Sequence, residues 1–241
     1  MDDVAEPNPF SVRHGWTLRE RFLALDSYGL LLLMILLSLV VSALRSSSLD
    51  RVLQVVRACA LGGTLLFALH TSGASRRAYL ICASLIGATV TLAIAIDPSM
   101  RLGAAIQALG AFVVIVGVVA VVARRFASHP VVTGSSILAA ICIYLFVGLA
   151  FATVYGFIAA VDSGPLFGSG TDGTSAIRIY YSFVTLTTLG YGDFVPATDA
   201  ARMIAVTEAL IGQVYLVTVV ALLVANVGAR RRRPHGDASA S

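Results

Sequence analysis

Charge is scarce in this sequence, and lysine is absent altogether. Only 12% of the 241 residues are charged, all 17 basic residues are arginine, and 58% of the residues are hydrophobic. An ordinary soluble domain has about 25% charged residues, so the composition excludes that class. The mean hydropathy of +0.88 instead predicts several membrane spans of about 20 residues each.

Cysteine is equally scarce. Cys59, Cys82 and Cys142 all lie inside apolar runs, and an odd number without metal-ligand spacing argues against a disulfide framework or a metal site. Sets of residues that would form a nucleophile–base pair, a zinc cluster or a phosphate loop are also missing. We therefore predict neither an enzyme nor a cofactor-binding protein.

Long apolar segments predict an all-α membrane protein with six transmembrane helices. The segments are residues 28–44, 52–70, 78–96, 102–123, 131–160 and 201–227. Residues 1–26 carry scattered charges and lack the short apolar core of a cleavable signal peptide, so the first span is expected to serve as the insertion signal. Within them, residues 16–25 fit either a helix lying in the membrane interface or a flexible lead-in.

Arginine positions predict the orientation of the spans. If the N-terminus is cytoplasmic, eleven of the 17 arginines fall on the cytoplasmic side, as the positive-inside rule requires. The exceptions in the first outer loop are Arg45 and Arg51. We expect a multi-pass protein of the cell membrane with both termini in the cytoplasm.

A polar, glycine-rich stretch interrupts the apolar pattern between the fifth and sixth spans. It reads Thr187-Thr188-Leu189-Gly190-Tyr191-Gly192-Asp193. Irregular backbone survives at membrane depth only where protein or a water-filled path surrounds it. Glycines at alternate positions permit backbone angles that other residues resist, so successive carbonyl groups are able to face a common axis.

This stretch resembles the selectivity filter of potassium channels, in which carbonyl oxygens replace the hydration shell of the ion. The resemblance implies that K⁺ is bound by four consecutive residues, Thr188, Leu189, Gly190 and Tyr191, and that Gly192 closes the outer mouth. The family usually has Val or Ile where this chain has Leu189. One loop supplies a quarter of a ring, so a homotetrameric pore is implied, with K⁺ as the permeant ligand.

A short helix is expected to lead into this loop and to support it. Residues 175–187 are too few to cross a bilayer but would place the negative end of a helix dipole near its middle. Thr187 ends this helix beside the filter. Similar channels bond the acid after the filter to an aromatic residue of the pore helix, and the register favours Tyr181 over Tyr180 as the partner of Asp193. The alternative is an exposed Asp193 that concentrates cations at the mouth.

Glu208 is an acid inside an apolar run, which makes it a functional candidate. Three interpretations stay open. It leans against the pore helix, bonded to Ser182 or Thr185, and supports the filter; it lies on the ion path; or it reaches the outer interface.

Gly212 lies twenty residues after Gly192, where similar channels have the hinge glycine of the inner helix. It serves either as a gating hinge or as a small residue that permits close helix packing. Residues beyond it recur at helical spacing and are expected to line an apolar cavity: Leu216, Val220, Ala221 and Val224.

The first four spans lack the charges of a voltage sensor. No arginine lies between Leu102 and Ala123, whereas a conventional sensor needs several arginines on its fourth helix. Arg57 lies one turn inside the second span and either snorkels to the interface or pairs with an acid such as Asp50 or Asp97.

The predicted organisation is a cytoplasmic segment over residues 1–27, a four-helix domain over 28–125, a pore domain over 130–228 and a short basic tail over 229–241. The tail is expected to contact anionic lipid, and no nucleic acid, through Arg230, Arg231, Arg232 and Arg233. The predicted function is passive, K⁺-selective conduction without a conventional voltage sensor. The alternatives are a non-conducting regulatory or binding protein on the same fold and a non-selective cation channel.

Overall fold

The computed structural model describes residues 18–44, 50–72, 75–95, 100–127 and 134–231. Within these ranges every regular element is an α-helix. The helices are α1 (Leu18–Ala43), α2 (Asp50–Thr71), α3 (Arg76–Ala95), α4 (Arg101–Ala127), α5 (Gly134–Val161), α6 (Ser175–Leu186) and α7 (Asp199–Arg231). An isolated antiparallel β-bridge joins Phe167 to Pro196.

Three of these helices contain stretches that are long and apolar enough to cross a membrane: Arg101–Arg124, Ser136–Val161 and Asp199–Val219. The apolar parts of α1 and α2 are shorter, Ser27–Ala43 and Val55–Thr71. Length and composition thus indicate a membrane protein. For α1 to α3 the helices lie where spans were predicted, and their crossing of the membrane stays a prediction.

The start of α1 decides between the two structures predicted for the chain before the first span, as far as that chain is described. The helix runs from Leu18 to Ala43 without a break, so residues 18–25 are its first turns and do not form a separate interfacial helix. Trp16 lies outside the described residues.

The core lies where α1 and α4 pack against α5 and where α2 packs against α1 and α4. Arg101 at the start of α4 donates a hydrogen bond to the carbonyl of Asp162, just after α5, at 3.1 Å, so the two long helices run antiparallel. The core side chains on these helices are fully buried: Leu31, Ile35, Leu69, Ile115, Val118 and Phe146. Through α1 and α4 this packing joins the N-terminal region to α5, which in turn packs against α6.

Hydroxyl groups inside these apolar helices are satisfied locally. Ser38 donates to the carbonyl of Ile35 at 2.8 Å, and Thr64 donates to that of Ala60 at 2.7 Å. Bonds to the preceding turn let Ser and Thr lie in an apolar environment without leaving a donor unpaired. Of the three free cysteines, Cys82 and Cys142 are buried and Cys59 is exposed, and the two buried thiols pack in the core.

Candidate functional site

Helix α6, which lies where the pore helix was predicted, begins and ends at identifiable caps. The Thr174 side chain accepts a hydrogen bond from the N–H of Ile177 at 3.3 Å, so Thr174 is the N-cap. Thr187 caps the other end, where its N–H donates to Phe183 O at 3.0 Å. Twelve residues give a rod of about 18 Å, so α6 is too short to cross a bilayer.

After α6 the backbone adopts left-handed angles at every second residue. The φ angles are +56° at Thr188, +58° at Gly190 and +78° at Gly192. Glycine takes such angles freely, but at a β-branched residue they cost about 1–3 kcal/mol and persist only where the surroundings impose them. Thr188 was not predicted to be in this conformation, and it extends the alternation one step toward the pore helix.

Backbone hydrogen bonds fix the first part of the loop. The N–H of Thr188 donates to Thr185 O at 2.9 Å. The N–H groups of Leu189 and Gly190 both donate to the carbonyl of Val184, at 2.9 and 3.3 Å. These bonds reverse the direction of the chain at the end of α6, and the loop begins there.

Gln213 is a site residue that the sequence analysis missed. Its side-chain Nε2 on α7 donates to Oγ1 of Thr188 at 3.0 Å, and the Thr188 hydroxyl in turn donates to Thr187 O at 2.7 Å. The signal was available, because an amide inside an apolar helix needs a partner as much as Glu208 does. The bond ties the inner helix to the strained residue of the loop.

The acid after the loop is bonded to Tyr180, and the expected pairing with Tyr181 is wrong. The Tyr180 hydroxyl donates to Oδ2 of Asp193 at 2.9 Å. Adjacent residues on a helix point about 100° apart, and it is Tyr180 that faces the loop. Its ring also stacks on that of Tyr191, with centroids 6.4 Å apart and planes 5° apart.

Tyr181 faces the other way and belongs to an aromatic cluster behind the loop. Its ring meets Tyr155 edge-on at 4.9 Å and Phe167 at 5.1 Å, and Phe167 in turn contacts Phe194 at 5.2 Å. Phe194 directly follows Asp193. The cluster therefore connects α5, α6 and the chain on both sides of the loop.

Main-chain bonds close the same region. Gly168 N–H donates to Val195 O at 2.8 Å, and Ala197 N–H donates to Leu166 O at 2.9 Å. These bonds flank the bridge between Phe167 and Pro196. The segment before the pore helix thus holds the segment after the loop.

Glu208 is fully buried against the pore helix. Ser182 donates to its Oε1 at 2.5 Å and Tyr155 donates to its Oε2 at 2.7 Å. The expected contact with Ser182 is confirmed. Since a buried carboxyl group is costly without donors, these two bonds explain how α7 keeps an acid at this depth, and they join α5, α6 and α7 through one side chain.

Gly212 is packed against the end of the pore helix. A Cβ atom added there would collide with the carbonyl oxygen of Leu186 and approach Leu186 Cδ1 at 3.0 Å. Among the alternatives, close packing is what the contacts of this glycine support, and α7 continues through it as a helix. Its role as a hinge stays a prediction.

The four residues predicted to line a cavity continue α7 beyond Gly212. Leu216 is 39% exposed and Ala221 is exposed. The side chains of Val220 and Val224 lie outside the described residues, as do Arg232 and Arg233 of the basic tail. Both of these side chains are therefore uncovered in the single chain.

Comparison with known proteins agrees with this geometry over the last part of the chain. The family model described as "Ion channel" matches residues 140–228, which contain most of α5, all of α6, the loop and most of α7. A stretch of 38 residues is 55% identical to the "Two pore potassium channel b" of Oryza sativa subsp. japonica, over 15% of this chain and 11% of that protein. No solved structure matches the chain. These similarities indicate a potassium-channel-type pore region, and a channel rather than an enzyme.

Proposed function

We propose that the chain is the subunit of a homotetrameric, K⁺-selective channel. The selectivity filter consists of Thr188, Leu189, Gly190, Tyr191 and Gly192, with K⁺ bound at the first four. The observation that carries the proposal is the alternation of left-handed φ angles at Thr188, Gly190 and Gly192 directly after a half-length helix. The name of the partly matching rice protein points to the same ion.

Alternating backbone angles suit a carbonyl-lined path. When every second residue is left-handed, successive carbonyl groups are able to face the same side, where a row of oxygens replaces the water around a dehydrated ion. Thr188 adds a hydroxyl oxygen, and Gln213 holds that hydroxyl in place. The innermost site is therefore the one whose geometry is fixed by two helices.

The pore helix contributes an electrostatic field as well as structural support for the loop. Its C-terminal end carries about half a negative charge and stops at Leu186, next to the loop. Four such ends directed at one axis favour a cation there. Asp193, held by Tyr180 at 2.9 Å, adds negative charge at the other end of the filter.

Assembly into a ring is supported by the surface of α7. Large apolar side chains on this helix are more than half exposed in the single chain: Met203 63%, Val206 52%, Leu210 61%, Val214 62% and Val217 67%. Their helical spacing makes one apolar face, which neighbouring subunits would cover. One loop per chain then requires four copies around a closed axis.

The remaining assignments combine these contacts with the resemblance to potassium channels. Thr187, Asp193, Tyr181 and Glu208 support the filter, and Gly212 allows α7 to approach the pore helix and serves as the gating hinge. We place both termini in the cytoplasm of a multi-pass protein, with the basic tail against anionic lipid. Conventional voltage gating is absent from the proposal, because α4 carries no arginine between Arg101 and Arg124.

Reconstitution of the purified chain in liposomes tests the proposal. A K⁺ gradient should drive flux through the wild type, with reversal potentials that favour K⁺ over Na⁺. The variant Gly190→Ala forces an alanine to a φ of +58° in the filter. It should greatly reduce both flux and selectivity.

Gly170→Ala is the matched control. Gly170 also has a positive φ, +79°, and free space around its Cβ position, but it lies in the loop before α6. The backbone cost of the two substitutions is similar, about 1–2 kcal/mol, so only a filter role predicts different flux. Equal flux in the two variants would refute the proposed filter, and flux without K⁺ preference would favour a non-selective channel.

A further inference from the structure

A cavity of about 550 Å³ lies between the four N-terminal helices and the pore domain. Residues of α1, α2, α3, α4, α5 and α6 all contribute to its wall. It does not belong to the proposed ion path, since no residue of the loop 187–193 lines it. Its volume falls within the range of about 300–1,000 Å³ that is typical of small-molecule sites.

One end of this cavity is cationic. Arg57 of α2 and Arg178 of α6 line it, together with Thr174 and Ser175 at the N-terminus of the pore helix. Helix N-termini carry partial positive charge. None of the lining residues is acidic, so the described part of the chain places no counter-charge in the cavity wall.

The two arginines differ in how they are bonded. Arg178 Nη1 donates to the carbonyls of Asp172 and Gly173, at 3.2 and 2.7 Å. The Asp172 carboxylate meanwhile accepts the N–H of Leu166 at 3.0 Å and does not line the cavity. Arg178 is thus held in place by backbone carbonyls where it lines the cavity, with Asp172 as a nearby charge outside the wall.

Arg57 is incompletely bonded. Its Nη2 donates to the carbonyl of Leu44, but its Nε is buried and has no hydrogen-bond partner in the described part of the chain. A buried guanidinium N–H without an acceptor is costly. An anionic group in the cavity would supply that acceptor.

The opposite end of the cavity is apolar. This end is lined by Leu65, which lies further along α2 than Arg57, by Val114 of α4 and by Leu149 of α5. Leu65 and Val114 belong to the buried core. The cavity therefore joins a cationic end to an apolar end within one pocket.

We propose that this cavity binds an anionic amphiphile with a single acyl chain, its carboxylate or phosphate at Arg57 and Arg178 and its chain against Leu65, Val114 and Leu149. A neutral lipid would leave the guanidinium charge of Arg57 without a counter-charge, and a small inorganic anion would leave the apolar end empty. Because the head group lies at the first turn of α6, its binding bears on the helix that leads into the filter. That regulatory effect, unlike the binding itself, rests on the proposed channel function.

Equilibrium binding of palmitate to the full-length chain in phosphatidylcholine nanodiscs tests the site. We expect saturable binding, about tenfold weaker for Arg57→Gln, because a charge-assisted bond is lost. Arg101→Gln removes the same charge from the start of α4, outside the cavity, and should bind like the wild type. Hexadecanol, which has the same chain without the anion, should bind at least tenfold more weakly than palmitate.

A second variant tests the volume without changing charge. Ala108 lines the cavity, and Ala108→Leu should displace the acyl chain and reduce palmitate binding several-fold. Palmitate binding that is unchanged in both Arg57→Gln and Ala108→Leu, or hexadecanol binding as tight as palmitate binding, would overturn the proposal. Each variant is first shown to elute as the wild type does, so that loss of fold is not taken for loss of binding.

Two further arms separate the ligand sources and the two proposals. Parallel titrations with palmitate and lysophosphatidic acid show which head group the site prefers, and preference for either one supports an anionic amphiphile. K⁺ flux is measured on the same protein preparations after reconstitution in liposomes. Binding without any flux would refute the channel and leave the site standing, whereas flux that is normal and insensitive to Arg57→Gln, with no binding, would refute the site alone.

Discussion

At the scale of single residues, the contact between Gln213 and Thr188 is the one that most directly links the inner helix to the loop. Thr188 occupies a backbone region that a β-branched residue avoids, and the amide of Gln213 lies 3.0 Å from its hydroxyl. The bond orients an oxygen that the proposed channel uses as an ion ligand. Its loss should therefore affect ion preference more than folding.

Gln213→Ala should reduce the K⁺ over Na⁺ permeability ratio by about two- to tenfold, the equivalent of one hydrogen bond of roughly 0.5–1.5 kcal/mol. Reversal potentials under bi-ionic conditions measure the change. Thr207→Val is the control, because the Thr207 hydroxyl bonds only within its own helix, to Met203 O at 2.9 Å. A ratio that is unaltered in Gln213→Ala would show that this bond does not shape the innermost site.

Substitutions around Glu208 test a different property, the stability of the contact between three helices. Tyr155→Phe removes the donor to Oε2 and leaves half of a buried carboxyl group without a partner, which costs about 1–3 kcal/mol. We expect a lower thermal midpoint for the purified assembly. Tyr79→Phe on α3, far from this contact, should leave the midpoint nearly unchanged.

The same substitution in a chain that already carries Glu208→Gln completes a double-mutant cycle. Because the two side chains are in contact at 2.7 Å, their effects should be non-additive by more than 0.5 kcal/mol or so. Additive effects would mean that the hydroxyl and the carboxyl group contribute independently, against the geometry.

At the scale of whole elements, apolar length predicted the helices well. The pore helix, expected over 175–187, spans Ser175–Leu186, and the fourth span, expected over 102–123, lies within Arg101–Ala127. Burial of an apolar run requires a helix in a membrane whatever its neighbours are. The sequence alone therefore carries the positions of these elements.

The orientation of each element's faces was harder to predict. Tyr180 and Tyr181 are chemically alike and adjacent, so composition cannot tell which one turns toward Asp193; only the packing of Tyr181 against Tyr155 and Phe167 decides it. The left-handed φ of Thr188 likewise depends on hydrogen bonds around it. Its N–H donates to Thr185 O, the next two N–H groups donate to Val184 O, and Gln213 donates to its hydroxyl. Such details arise from contacts between elements, which a single sequence does not specify.

Gly212 distinguishes a packing role from a hinge role at the element scale. Gly212→Ala puts a Cβ against Leu186, so α7 must shift from the pore helix, and we expect the assembly to lose about 1–3 kcal/mol of stability. A pure hinge predicts the opposite sign, since alanine in a helix is favoured over glycine by about 1 kcal/mol. The thermal midpoint of the closed assembly gives the answer.

Gly117→Ala on α4 is the matched control for that experiment. Its Cβ would meet nothing within 4 Å, so only the helix propensity changes and the midpoint should rise or stay the same. If Gly212→Ala behaves like Gly117→Ala, close packing against Leu186 is not what the glycine is there for.

At the scale of the whole molecule, the proposed ring can be counted by mixing subunits. When wild-type and Gly190→Ala chains are co-reconstituted in equal amounts and assemble at random, roughly one ring in sixteen contains only wild-type subunits if the ring has four. A filter lined by carbonyls from every subunit is impaired by any variant copy. K⁺ flux should therefore fall far below half of the wild-type value, toward about 6%.

The dependence on composition separates the assembly states. Flux that falls with the fourth power of the wild-type fraction indicates four interacting loops, whereas a linear fall indicates that each chain conducts by itself. Mixing wild type with Gly170→Ala, whose substituted glycine has the same backbone strain outside the filter, should leave flux at its full value. Because one loop per chain supplies only a quarter of a carbonyl ring, a chain acting alone would lack a closed filter, and the fourth-power result is the one we expect.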